Sequence, residues 1–276
     1  MSSIKTQYRN IRFANDSDSQ QMDIFLPEGK GPFPAIILIH GGGFKSGDKK
    51  AKYSLAKKLV ANGYVAICVN YRLSGEAIFP AAVHDLKASI RFIRGKAKKY
   101  NIDPNNIGSW GSSAGGNLSA ILGTSSGNKF LDGDLGSFKN MSTKIQVCVD
   151  WFGPIDFSTL KEDAKKLGLD NDFNVDIESK YVGKDVSDPK NIRWVQLANP
   201  ATYIDETDPP FYIQVGDQDN LVPYLQSKDF VDKLRQVLGR ENVDFDLIEG
   251  GGHGGTEFSK KENIDRIIAF LDKNLK

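Results

Sequence analysis

The sequence predicts an α/β fold: a mostly parallel central sheet with helices on both faces and a small cap-like insertion. Two observations carry this expectation. From about residue 35 onward, short apolar runs alternate with helix-periodic segments of ten or more residues, the pattern of right-handed βαβ crossovers. Four of the apolar runs end in loops dense in glycine, serine, aspartate or histidine, as ligand-binding strand ends do in open parallel sheets.

The elements follow in order. "QYRNIRFA" (7–14), "QQMDIFLP" (20–27) and, after the turn signal "EGKGPFP", the run "AIILIH" (35–40) read as strands. "KAKYSLAKKLVAN" has helical spacing and stops at Gly63, and "YVAICVNY" is a buried strand. "PAAVHDLKASIRFIRGKAKKY" (80–100) is a long amphipathic helix with Pro80 at its start and lysines in its last turns. "NIGSW", "KIQVCVDWF", "PPFYIQVGD" and "VDFDLIEG" are the later strands. "AGGNLSAILGT", "PYLQSKDFVDKLRQVLG" and "TEFSKKENIDRIIAFLDKNL" are the later helices. Residues 156–204 are polar and irregular, which predicts a lid, a cap or a peripheral excursion within one domain spanning 1–276.

Composition excludes several classes of function. With 36 Lys plus Arg against 35 Asp plus Glu, the net charge of +1 offers no footprint for nucleic acid or an acidic membrane surface. No segment approaches the roughly 18 apolar residues of a membrane helix, and the N-terminus lacks the apolar core of a signal peptide, so the expected location is cytoplasmic. Cys68 and Cys148 lie inside apolar strand-like runs, where a free cysteine behaves as a small buried hydrophobe rather than half of a disulfide.

The chemistry concentrates at the strand ends. "GSSAG" (111–115) fits Gly-x-Ser-x-Gly with Ser113 in the central place, between a predicted strand and a predicted helix. The glycines answer crowding: a serine on so sharp a turn leaves no room for side chains two residues to either side. Ser112 is then a small, tight-fitting neighbour. The bland alternative is a glycine-rich turn with an N-cap serine.

A serine hydroxyl needs a base, most often histidine. His84 sits in the long helix and reads as structural, and His40 as a loop-fixing residue, which leaves His253 in "GGGHGG" (250–255). Asp219, in "GDQDNLVP", is expected to orient that imidazole, while its competitor Asp217 reads as a turn residue. The order Ser113, Asp219, His253 is that of an α/β hydrolase. "HGGGF" (40–44) supplies unhindered amides for an oxyanion. Gly42, Gly43 and Ala114 are the assigned donors, with the choice among Gly41, Gly42 and Gly43 open.

These motifs resemble the HGGG-type carboxylesterase and lipase branch of the α/β-hydrolase superfamily. The stretch 70–120, "DWFGPIDF" and "ANPATYIDETDPPFYIQVGDQDNLVP" look more specifically like its bacterial feruloyl-esterase-like and acetyl-xylan-esterase-like members, over roughly residues 20–274. The family often has Trp after HGGG; here Phe44 stands in that place.

The resemblance implies a serine carboxylesterase acting on small or short-acyl esters, among them acetylated or feruloylated sugars, through an acyl-enzyme. It implies no metal and no organic cofactor. The expected partner is a small-molecule ester, with a homo-oligomer left open. Candidate pocket walls are Phe44, Tyr71, Phe79 and Trp151, although for each alone core packing is the favoured reading over substrate contact. An amidase or peptidase of the same fold and a non-catalytic binding protein are the alternatives.

Overall fold

The computed structural model describes residues 8–169 and 174–276. The expected strand at 7–14 begins one residue outside this range, and part of the 156–204 segment also lies outside it. Eight strands form one sheet: β1 (Tyr8–Arg12), β2 (Gln21–Phe25), β3 (Phe33–Ile39), β4 (Val65–Val69), β5 (Ile102–Ser112), β6 (Val147–Trp151), β7 (Phe211–Gly216) and β8 (Val243–Ile248). Their spatial order is β1-β2-β4-β3-β5-β6-β7-β8. The β1/β2 and β2/β4 pairs are antiparallel and every pair from β4/β3 to β7/β8 is parallel.

The described helices are α1 (Tyr53–Ala61), α2 (Ala81–Gly95), α3 (Ala114–Thr124), α4 (Lys129–Asp132), α5 (Leu160–Lys166), α6 (Asp176–Val182), α7 (Ile192–Gln196), α8 (Tyr224–Leu238), α9 (Thr256–Ser259) and α10 (Lys261–Leu275). The period-2 pleat of β3 sends its apolar side chains to two different cores. Ala35, Ile37 and Ile39 pack with Val83 and Leu86 of α2, Leu118 and Ile121 of α3, and Phe230 of α8. Ile36 and Leu38 pack with Leu55 and Leu59 of α1 and with Ile264, Ile267 and Leu271 of α10. Burial on both faces explains why the central strands read as continuous apolar runs rather than alternating ones.

Three predicted helices are interrupted. A 3₁₀ turn, Lys49–Lys52, precedes α1; a second, Ala97–Tyr100, follows α2; and Lys260, with ψ 143°, separates α9 from α10. The strand expected at "NIGSW" extends to eleven residues, Ile102–Ser112. The segment after β6 carries α5, α6 and α7, with a 3₁₀ turn (Pro189–Asn191) before α7 and another (Pro200–Tyr203) after it, so its polar composition conceals local helices.

This segment is anchored by aromatic side chains. Tyr181 of α6 stacks on Phe44 at 3.8 Å between ring centroids, and Phe79 meets both Tyr181 and Trp194 edge-on. The Trp194 indole N–H donates to the Val182 carbonyl.

The chain leaves β4 on one side of β3 and returns as β5 on the other, so the strand order reverses between β3 and β5. A crevice opens outside the carboxyl ends of two such strands. "HGGGF" and "GSSAG" are the loops that leave those two ends.

Candidate active site

The β5–α3 turn is built by close backbone approach. A Cβ on Gly111 would stand 1.7 Å from the Gly115 carbonyl oxygen, and one on Gly115 would stand 2.4 Å from that of Ile39. Only glycine fits at either place. Between them Ser113 adopts φ 56° and ψ −126°, a conformation L-residues avoid, and its amide donates to the Trp151 carbonyl at 2.8 Å. The turn thereby lifts the Ser113 hydroxyl into the crevice.

Two loops from distant parts of the chain meet that hydroxyl. His253 Nε2 lies 2.8 Å from Ser113 Oγ, and His253 Nδ1 lies 2.8 Å from Asp219 Oδ2. The carboxylate can only accept, so Nδ1 carries the proton and Nε2 presents a lone pair to the serine. Asp219 is itself fixed, because its other oxygen accepts from the amides of Leu221 (2.9 Å) and Val222 (2.8 Å). Asp217 has a different job: its side chain accepts from the Gly250 amide and ties the aspartate loop to the histidine loop.

The other two histidines are engaged elsewhere. His84 Nε2 donates to the Phe130 carbonyl. His40 donates from Nδ1 to the Gly41 carbonyl and stacks on Tyr71, whose hydroxyl donates back to the His40 carbonyl. Burial, partly opposed by that Gly41 contact, holds the His40 imidazole below its ordinary pKa, so it stays neutral.

Ser113, Ala114, Gly42, Gly43 and His253 all line one cavity of about 750 Å³. Among the described residues, the amides of Gly42, Gly43 and Ala114 have no protein acceptor, which leaves three N–H donors beside the serine. The arrangement can deprotonate a hydroxyl and stabilise negative charge on an adjacent oxygen. No group of three or more His, Cys, Asp or Glu side chains among the described residues could hold a metal ion.

Of the four expected pocket aromatics, only Phe44 lines the cavity. The other three are core residues. Tyr71 supports His40, Phe79 packs under α6 and α7, and Trp151 donates to Gln214 while packing edge-on against Trp110. Position near a strand end put them within reach in sequence, but their rings turn inward.

Sequence reasoning missed three contributors. Phe152 places its ring edge-on to His253, 4.9 Å between centroids, from a backbone at φ 44°. Lys52 is buried and donates from Nζ to Ser112 Oγ at 2.6 Å, so Ser112 is a hydrogen-bonding anchor of the turn rather than only a small neighbour. Burial pushes the Lys52 ammonium down to about 8. Nothing in "KAKYSLAKK" separates Lys52 from the solvated lysines around it. Ile177 of α6 is the third, packed over the HGGG loop, and the irregular composition around it hid the helix that carries it.

The BD-FAE family model matches residues 22–234, most of the chain. The chain belongs to the BD-FAE family. Among curated relatives, this BD-FAE member is 30% identical over 211 residues to the probable carboxylic ester hydrolase LipM of Mycobacterium tuberculosis, covering 75% of this chain and 46% of the relative. It is 26% identical over 224 residues to esterase LipC of the same organism, covering 81% and 53%.

The chain thus spans about half the length of the curated relatives it matches. A truncated carbohydrate esterase from gut microbiota superposes with a TM-score of 0.85 at 32% identity, covering 98% of this chain and 96% of that one. A bifunctional GH43-CE protein of Bacteroides eggerthii superposes at 0.86 and 31% identity, covering 98% and 35%. The α/β-hydrolase fold and esterase-branch membership read from the motifs agree with these relatives.

Proposed function

We propose that the chain is a serine carboxylesterase that cleaves small or short-acyl esters through an acyl-enzyme, with acetylated or feruloylated sugars as its substrate class. The unbroken hydrogen-bond line Asp219–His253–Ser113, with both contacts at 2.8 Å, carries this reading.

Ser113 Oγ attacks the ester carbonyl as His253 Nε2 takes its proton, and the tetrahedral oxyanion sits among the amides of Gly42, Gly43 and Ala114. Asp219 balances the imidazolium. His253 then protonates the departing alcohol, water adds to the acyl-enzyme by the same route in reverse, and the acid leaves. The carboxylic ester hydrolases and the carbohydrate esterase among the relatives support the reaction class. The segment after β6 acts as a cap over the crevice in this reading.

Steady-state turnover of p-nitrophenyl acetate, acetylated or feruloylated glycosides and aminoacyl anilides tests the proposal. Esters are expected to dominate, with Ser113→Ala reducing kcat by at least about 10³-fold and Asp219→Asn by about 10⁴-fold. Dominant anilide turnover, or ester turnover that survives Ser113→Ala, would overturn it.

A further inference from the structure

The cavity of about 750 Å³ is several times larger than an acetyl group needs, so most of it is available to the alcohol side of an ester. Its walls are apolar in part, through residues such as Leu169, Ile177 and Val222, and among the described lining residues Lys45, just after the HGGG loop, is the one Lys or Arg and Glu178, on α6, the one Asp or Glu.

The two approach the oxyanion loop from different elements. A Cβ built on Gly43 would stand 3.1 Å from Ile177 Cγ2 and 4.0 Å from Lys45 Cε, so α6 and the Lys45 side chain both lie over Gly43. Glu178 follows Ile177 directly and is half-buried. Burial raises its carboxyl above the ordinary range, opposed first by a hydrogen bond from its own backbone; Asp176 adds to the rise and Lys45 opposes it.

Lys45 and Glu178 do not pair with each other. Among the described residues, the ion pairs engage other side chains and leave these two out. Glu178 is held by its own backbone and a carboxylate has further acceptor sites, so it and the Lys45 ammonium keep hydrogen-bonding capacity for whatever enters the cavity. One head offers only donors and the other, when ionised, only acceptors.

The group that satisfies both is the neutral hydroxyl, which donates and accepts, and a sugar ring presents several at fixed spacing. A carboxylate on the alcohol would be drawn to Lys45 but repelled by Glu178, and an ammonium the reverse. We infer that Lys45 and Glu178 form a specificity-determining pair that selects a neutral, hydroxyl-rich alcohol, a glycoside, on the leaving-group side of the ester.

The inference rests on the esterase reading, and its test separates the two. Affinity for an acetylated methyl xyloside is measured by calorimetry in the Ser113→Ala background, where turnover is suppressed, for the single variant and with Glu178→Ala, Glu178→Gln or Lys45→Ala added. The kcat/KM ratio of acetylated methyl xyloside to p-nitrophenyl acetate is measured for the same substitutions with Ser113 intact.

Glu178→Ala and Lys45→Ala are expected to weaken xyloside binding about tenfold and to lower the kcat/KM ratio by a similar factor. Glu178→Gln, which keeps an acceptor oxygen, should restore part of both. A parent that binds an acetylated methyl glucuronoside as tightly as the neutral xyloside would overturn the inference, as would an unchanged affinity or equal losses on both substrates. Failure of the esterase reading would show instead as no p-nitrophenyl acetate turnover by the unsubstituted chain, with the binding comparison still decisive for the pair.

Discussion

Ser113 holds its φ of 56° only because the surroundings over-determine it: its amide is bonded to Trp151, its predecessor Ser112 is held by Lys52, and both flanking glycines are packed on backbone. Beneath the same turn lies a carboxyl that the proposed chemistry does not use. Asp150 is fully buried, with Oδ1 accepting from the Gly153 amide at 3.0 Å and Oδ2 without a partner among the described residues. Burial, opposed by the Gly153 amide, pushes this carboxyl from the ordinary 3.8 up to about 7.

Between those two values the native protein holds a proton that the unfolded chain releases. Stability therefore falls as pH rises through this window, and the penalty is fully present above it. Asp150→Asn keeps the Oδ1 acceptor and removes the titration. Its stability advantage over the parent is expected to grow from pH 4 to pH 8, reaching about 2–4 kcal/mol in denaturant titrations. A difference that does not change with pH would show that Asp150 does not titrate in this range.

At the scale of elements, the junction between β3 and α3 depends on how closely two backbones approach. In Gly115→Ala the new methyl would sit 2.4 Å from the Ile39 carbonyl oxygen and 2.6 Å from that of His40, and no side chain can rotate away to relieve it. The variant is expected to lose about 1–3 kcal/mol of stability and far more than the corresponding share of ester turnover, because the shift moves Ser113 relative to the proposed oxyanion donors. Thermal unfolding and kcat measured together check this; parental values for both would contradict it.

The same junction shows what was legible beforehand. "AIILIH" and "NIGSW" announced buried parallel strands because both faces of β3 and β5 are covered, and the Gly-x-Ser-x-Gly spacing announced the turn because its crowding is local. Phe79 and Trp151 each read singly as core packing, yet local sequence could not remove them from the pocket candidates. Their inward orientation is set by Tyr181, Trp194 and Gln214, partners at least 60 positions away for which no local pattern exists. Lys52 was hidden in the same way, since its burial follows from the fit of the Lys49–Lys52 turn against Ser112 rather than from its own neighbours in sequence.

Across the whole molecule, parallel strands bring the site together. Because β3, β5, β7 and β8 point the same way, the loops that carry Gly42 and Gly43, Ser113, Asp219 and His253 leave one edge of the sheet despite spanning more than 200 residues of chain. The segment after β6 stacks Tyr181 on Phe44 and contributes Ile177 and Glu178 to the cavity. No described helix is long and apolar enough to cross a membrane. The central claim is that this convergence makes Ser113 a nucleophile. Intact-mass and peptide analysis after treating the folded chain with a fluorophosphonate measures this directly. The expected result is one adduct, on Ser113, absent in Ser113→Ala and slowed strongly in Asp219→Asn; no adduct on folded protein, or an adduct on another residue, would contradict it.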